Sequence, residues 1–428
     1  MWNKPEKPVA IDPSQVVIGM YVWLNVSWDD HPFLCNRFKI SDEKQVATIR
    51  SLPIQGKLFY HPEKSTATPA PFVAGVARDP SVVRTAEEEE VDAVLAAEIV
   101  RLNQEKRDRL QKHKDAAARA DRAWEQAARV ASDAMHAMGR APKQAGEQFL
   151  NLSRSTASLI SQGQEVLLHL LGDKEGEGAQ FHALNVMTLS MLVGKIVGME
   201  EDQLAELALG TLAHDIGKIR VPARILRAKN RAKHEEVFYR EHGTYGIELA
   251  RMSGVFGATA ISVIADHHEY MDGSGWPNGK TSAGLAARIT ALVDRYDRLC
   301  SPESPDQEAL LPSEALARLF KIESAKFDQR LLKILIRLLG VYPPGTLVKL
   351  SDDSLGLVVA PGKESLRPTV LIYSPDMEKR EAPTIDLSQF DDLKIEEALR
   401  PASLPSDVLR WMNPRQRLSY FFSTEQTN

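Results

Sequence analysis

The stretch LAELALGTLAHDIGK, residues 204–218, reads as a buried helix that runs into a charged turn. Leu204, Leu207 and Leu212 give it one apolar face at helical spacing, and Gly217 offers a stop just beyond His214 and Asp215. A lone His-Asp dipeptide is common by chance, and a buried histidine bonded to its neighbour would explain it. What changes the reading is the company this pair keeps. His182 precedes it, His242 and the adjacent pair His267-His268 follow, and Asp294 closes the series inside AARITALVDRYDRL. Five of the eleven histidines therefore fall in one helical stretch, each beside a turn, a helix end or another candidate ligand. Neutral imidazoles supply terminal nitrogen ligands, and a carboxylate such as Asp215 can bridge two cations, so the set suits two divalent metals and hydrolysis of a phosphate ester. Asp294 sits among Ala, Ile, Leu and Val, where a charge needs a partner or a metal. Asp297, one turn later, is placed to bond a ligand from behind.

Outward from this core the chain changes character several times. At 428 residues it exceeds the usual single hydrophobic core. Residues 1–64 alternate short apolar runs with polar clusters and predict a small α+β accessory or sensory domain, followed by a Pro-rich linker over 65–84. Residues 85–150 are dominated by Ala, Glu, Lys, Arg and Gln, the composition of a long exposed helical arm through which homodimerisation is an expectation. A second helical stretch is expected from about Gln144 to Leu171. Residues 151–339 predict an all-helical domain carrying the ligands, 340–400 a small β unit, and 401–428 a helical and irregular tail. The fold class is thus mainly α, with an α+β N-terminal domain and a β C-terminal unit.

Composition narrows the function. Apolar content of 43% and charged content of 26% belong to an ordinary globular protein, and a net charge of −5 argues against a nucleic-acid polymer as partner. Cys35 and Cys300 are the only cysteines, which leaves nitrogen and oxygen to hold any metal. No leader-like segment opens the sequence, and no run reaches the roughly eighteen apolar residues of a membrane span, so a cytoplasmic location is expected. His31, His61, His113, His136, His169 and His234 lack a ligand-type partner and read as structural or solvated.

With HDIGK, HHEYMDGSGWP and the ordered ligands in view, the sequence resembles the HD-GYP family, a branch of the HD phosphohydrolases that hydrolyses cyclic di-GMP. The stretch VVIGMYVWLNVSWDDHPFLCNRFKI resembles a domain of unknown function often found ahead of HD-GYP domains, and GVYPPGTLVKLSDDSLGLVV resembles the segment that often follows them. The resemblance implies one metal held by His182, His214, Asp215 and Asp294 and a second held by Asp215, His242, His267 and His268. Iron or manganese is the implied metal, with zinc as the alternative. A third metal in some members needs a glutamate four residues before the first histidine; Gly178 stands there, beside Glu177, so two are expected. Asp215 and Lys218 would carry the chemistry, with Lys218 on a phosphate oxygen. Linear pGpG, and GMP after it, would be the products. An alternative is a weakly active or inactive module that binds nucleotide or a diguanylate cyclase (GGDEF) partner.

Three departures from the family pattern concern the substrate side. The GYP triplet is Gly275-Trp276-Pro277, the loop usually reading KPG is Ala228-Lys229-Asn230, and the basic segment after the last aspartate is SPESPD, with Glu303 and Asp306 where cations would meet phosphate. Arg298, where the family usually has alanine, offers one cation in return. Gly275, Trp276, Pro277, Arg298 and Lys218 are therefore the expected substrate contacts.

Overall fold

The structure is a computed structural model that describes residues 8–26, 30–33, 36–71, 86–161, 166–170, 179–303, 307–362, 364–374, 379, 382–390, 393–412 and 420–424. Cys35, the linker from 72 onward, the Glu177-Gly178 position and Asp306 lie outside that set. Contacts divide the chain into two units: Met1–Lys114 with Lys349–Gly356 and Leu371–Glu397, and Asp115–Val348 with Leu357–Val370 and Ala398–Asn428.

In the first unit, β1 (Val9–Ala10), β2 (Tyr21–Leu24), β3 (Arg37–Lys39), α1 (Glu43–Ser51) and β4 (Leu58–Tyr60) form an antiparallel sheet of order β1-β4-β2-β3 with one helix. Val22 stands opposite Tyr60 and Phe38 on its two sides, and Val22, Leu24, Ile40, Ile49 and Leu58 close a small core beneath α1. Asp42 caps α1 by accepting from the Gln45 amide at 2.8 Å, which fixes where the helix begins.

α2 (Ala86–Ala137) is one continuous helix, but its end is no exposed arm. Trp124, Ala127, Ala131, Ala134 and Met138 recur at alternating steps of three and four and are buried in the helical core with Phe149 and Leu184. The Trp124 ring meets Phe181 at 4.8 Å. Small alanines allow close helix approach, so a composition that reads as solvated also serves as a packing seam.

α3 (Pro142–Ser161) ends well short of Leu171. After it, β5 (Val166–Leu170) pairs antiparallel with a strand of the tail, Tyr420–Thr424, with Leu170 opposite Tyr420. This pairing corrects the expected helix to Leu171 and adds a strand to a tail expected to be helical and irregular. A short apolar run such as VLLHL cannot declare itself strand or helix without its partner, and here the partner is far away in sequence.

The helical body continues with α4 (Ala179–Ile196), α5 (Glu201–Ala213), α6 (Ala223–Leu226), α7 (Lys233–Arg240), α8 (His242–Ser253), α9 (Ala258–Asp266), α10 (Leu285–Cys300), α11 (Pro312–Lys321) and α12 (Gln329–Leu339). α4 is buried from Ala183 through Gly194 and is the central rod. One side joins Leu204, Ala208 and Leu209 of α5; the other joins Ile289, Leu292 and Tyr296 of α10 and Leu332 and Leu335 of α12. Burying this much apolar surface, at about 25 cal/mol per Å², supplies the rigidity on which the polar residues at the helix ends are mounted.

β6 (Leu347–Leu350), β7 (Leu355–Ala360), β8 (Thr369–Ile372), β9 (Thr384–Asp386) and β10 (Ile395–Leu399) make a five-stranded sheet of order β10-β6-β7-β8-β9, followed by α13 (Ser406–Met412) and β11 (Tyr420–Thr424). The fold is mainly α, with small sheets toward both termini, as its sequence predicts. No helix among the described residues is long and apolar enough to cross a membrane.

Candidate metal centre

All the candidate ligands but Asp294 come from the end of a helix or the turn beyond it. His182 lies in the first turn of α4, His214 caps the C-terminus of α5, and Asp215 opens a short 3-10 turn, Ile216–Arg220, that carries Lys218. His242 begins α8, His267 caps α9 with His268 next, and Asp294 is buried in mid-α10. At such positions backbone carbonyls lack helical partners, and the histidines use them. His214 Nδ1 meets the Thr211 carbonyl at 2.6 Å, His242 Nδ1 that of Tyr239 at 2.8 Å, and His267 Nδ1 that of Ile264 at 3.0 Å, each three residues back. A carbonyl can only accept, so each Nδ1 carries its hydrogen and each Nε2 is turned toward the centre. His182 achieves the same through Asp297, whose Oδ2 lies 2.7 Å from its Nδ1 while Asn185 donates to Oδ1 at 2.8 Å.

Two ligand groups result, Asp215 with His242, His267 and His268, and His182 with His214 and Asp294. Asp215 divides its oxygens between them. Its Oδ1 lies 3.4 Å from His242 Nε2 and 3.8 Å from His267 Nε2, and its Oδ2 lies 3.5 Å from His214 Nε2 and 3.9 Å from His182 Nε2. Facing Nε2 atoms stand 3.2 Å apart in His182 and His214 and 3.4 Å apart in His242 and His267. Two bare nitrogens, as in His242 and His267, repel at such range, whereas ligands of one ion at about 2.1 Å sit about this far from each other. Asp215 Oδ1 and His268 Nε2 are buried and have no hydrogen-bond partner among the described residues. Such orphaned acceptors are costly unless something else completes them. The donor set fits a pair of divalent cations.

Close packing holds this geometry. A Cβ on Gly217 would stand 1.9 Å from the His242 carbonyl oxygen and 2.5 Å from the Gly246 nitrogen, so the glycine of HDIGK lets the turn press against α8. Its expected role as a helix stop is replaced by this close approach, since α5 already ends at Ala213. Gly275 is held likewise, 2.5 Å from the His268 oxygen and the Tyr270 nitrogen by the same construction. That contact lets Trp276 donate its amide to the His268 carbonyl at 3.1 Å and stack its indole on the His268 ring at 4.1 Å. A cis peptide joins Trp276 to Pro277. Glu269, buried, anchors the far side of the loop by accepting from the amides of Asn278 and Lys280 at 2.7 and 2.8 Å.

The cations around the carboxylates are arranged unevenly. Arg298 Nε donates to Asp294 Oδ1 at 2.8 Å and its Nη2 to Asp215 Oδ2 at 2.6 Å. Lys218 Nζ donates to Asp215 Oδ2 at 2.9 Å and to Glu303 Oε1 at 2.8 Å. Glu303 Oε2 takes a further bond from Arg298 Nη1 and one from the Tyr239 hydroxyl, both at 3.3 Å. Burial alone would raise the Asp215 and Asp294 carboxyls, but Lys218, His214 and Arg298 around the first, and Arg298 with His182 around the second, hold both well below the usual range. Burial by itself would lower His214, yet Asp215 and Asp294 lift it to about 9. His242 goes the other way, pushed by burial to about 4, and burial with neighbouring imidazoles holds His267 and His268 well below their ordinary value.

All seven expected ligands thus converge, and Lys218, Trp276 and Arg298 border them. Tyr239 and the anchoring carbonyls of Thr211, Tyr239 and Ile264 were missed in the sequence reading. Their signal is the spacing of three before each histidine, which is legible once the histidines are known to end or begin helices.

A model of the HD domain matches residues 150–331, and one of a domain of unknown function (DUF3391) matches residues 9–149. The cyclic di-GMP phosphodiesterase PA4108 of Pseudomonas aeruginosa is 26% identical over 376 residues, 85% of this chain and 84% of that protein. The cyclic di-GMP phosphodiesterase response regulator RpfG of Xanthomonas campestris pv. campestris is 32% identical over 150 residues, 34% of this chain and 39% of that protein. Among solved structures, Bd1817, an HDG"Y"P protein from Bdellovibrio bacteriovorus, aligns with a TM-score of 0.41 at 15% identity, covering 77% of this chain and 97% of that one. The class defined here is that of HD-domain proteins. The chain carries an HD domain preceded by the domain of unknown function, an arrangement that the HD-GYP family fits.

Proposed function

We propose that this chain is a metal-dependent phosphodiesterase that opens cyclic di-GMP to linear pGpG, and further to GMP, in the cytoplasm. The observation that carries the reading is the pair of ligand groups with Asp215 turning one oxygen to each, Asp215 Oδ1 and His268 Nε2 being buried without a hydrogen-bond partner among the described residues. The names of the relatives agree with it. Two divalent cations, iron or manganese before zinc, would be held by His182, His214, Asp215 and Asp294 and by Asp215, His242, His267 and His268. When bound they supply polarisation of the phosphoryl oxygens and a water acidic enough to attack phosphorus at neutral pH.

The chain's own residues do the rest. Carbonyl-anchored imidazoles arrive with Nε2 already aimed, so little ordering is left to the moment of reaction. Lys218, tied to Asp215 on one side, offers a donor to a non-bridging phosphate oxygen where Glu303 now accepts. Trp276 lies on His268 and shields one face of that ligand from water. Full-length protein loaded with Mn²⁺ and given cyclic di-GMP is expected to yield pGpG by chromatography. Absence of linear product, under conditions where an active relative turns over, overturns the proposal; preference for a mixed guanine-adenine dinucleotide or a nucleoside triphosphate reassigns the substrate.

A second reading is favoured by one observation, that Lys218 and Arg298 are both engaged by Asp215 and Glu303. It makes the chain a module that binds nucleotide, or a GGDEF partner, with little hydrolysis. Two bound metals with no turnover in the same assay would select it.

A further inference from the structure

Arg298 distinguishes the two ligand groups. Its Nε and Nη2 donate to Asp294 Oδ1 and Asp215 Oδ2 at 2.8 and 2.6 Å. These are the oxygens toward which the other donors of the His182 group point: Asp294 Oδ1 lies 3.0 Å from His182 Nε2 and 3.5 Å from His214 Nε2, and Asp215 Oδ2 lies 3.5 Å from His214 Nε2. Among the described residues no side chain hydrogen-bonds Asp215 Oδ1 or His268 Nε2 in the other group. A guanidinium stays charged at every pH a protein survives, so it cannot step aside by losing a proton as a lysine can. It must swing away or share the oxygens with an incoming dication, at the cost of like-charge repulsion in a buried place. Glu303, 3.3 Å from Nη1 on the outer side, gives the displaced group somewhere to go.

We propose that Arg298 is an internal cation standing in for the second divalent ion at the His182, His214 and Asp294 group, so that the two groups fill unequally. The group of Asp215, His242, His267 and His268 takes its ion first and tightly, and the other fills only in competition with the guanidinium. The proposal rests on the metal reading above and deepens it by assigning an order. It also makes Arg298 a residue that sets metal occupancy and not simply a substrate contact.

The test is an equilibrium titration of the full chain with Mn²⁺, followed by calorimetry and by the electron paramagnetic resonance signal of a spin-coupled manganese pair. Wild type is expected to bind in two separated steps, the coupled signal appearing only in the second. Arg298→Ala and the shape-keeping Arg298→Gln, each checked by thermal melting, are expected to leave the first step unchanged and tighten the second by about tenfold or more. A second step left unchanged or weakened in both variants overturns the proposal, because Arg298 would then be a neutral neighbour or a support for the ion. Wild type binding two ions in one equal step overturns it as well. Failure of every form to bind any Mn²⁺, Fe²⁺ or Zn²⁺ overturns the metal reading itself, which is a separate outcome.

Discussion

The two ligand groups use similar side chains and are finished in opposite ways. Around His242, His267 and His268 the imidazoles are buried bases held below their ordinary range, facing one carboxylate oxygen that has no hydrogen-bond donor among the described residues. Around His182, His214 and Asp294 there are two carboxylate oxygens, and positive charge already surrounds them: Arg298, Lys218 and a His214 raised to about 9. One half can be completed only from outside, while the other is partly completed by the chain itself. Buried carboxylates recruit whatever cation the fold can reach, and neutral imidazoles crowded together recruit none.

The contrast is most severely tested at the residue both halves share. Asp215→Ala is expected to reduce phosphodiester hydrolysis by about three orders of magnitude or more and to lower the metal content of both groups, because each loses the oxygen it takes from the one carboxylate they share. Metal analysis beside the product assay decides the matter, and a variant retaining two ions would break the assignment of a bridge. A smaller and unequal effect is expected from single imidazoles. His268→Ala should weaken the first, tight binding step by about a hundredfold, whereas His182→Ala should spare that step and remove the second. Equal losses from the two variants would mean that the halves are equivalent after all.

The gentlest test is pH. Metal must displace the proton of His214, so affinity at the His182 group should rise about tenfold per unit as pH approaches about 9, with a proton released on binding. His242, at about 4, is a free base throughout that window, and the first step should be flat above pH 5 or so. In metal-stripped protein the sign reverses for stability. A raised His214 contributes stability that is full below its unfolded value of 6.5 and lost as pH rises through about 9. Calorimetry in buffers of different ionisation enthalpy, and melting curves of stripped protein across the same range, read both effects.

Much of the site was legible without coordinates because its signals are local. Histidine and aspartate have few better explanations than a metal when they recur at the ends of apolar helices, and the family's motifs put them in order. The N-terminal sheet with one helix was legible for the same reason, since the alternation of short apolar runs with polar clusters is a local pattern. The end of α2 was not, because alanine suits both a solvated helix and a tight seam, and only Phe149, Phe181 and Leu184 show which it serves. The strand Val166–Leu170 was missed because its partner, Tyr420–Thr424, supplies the hydrogen bonds that a strand cannot make alone.

By itself, the sequence determined the helical class, the seven metal-ligand candidates and the chemistry they suit, since these depend on residue type and short-range periodicity. Only the tertiary structure decided how Asp215 divides its two oxygens, that Arg298 reaches both buried aspartates, and that Glu303 joins Lys218, Arg298 and Tyr239. Those contacts span as many as 85 residues, from Lys218 to Glu303. Charges at that separation meet only after helix packing has placed them, so no local pattern records them.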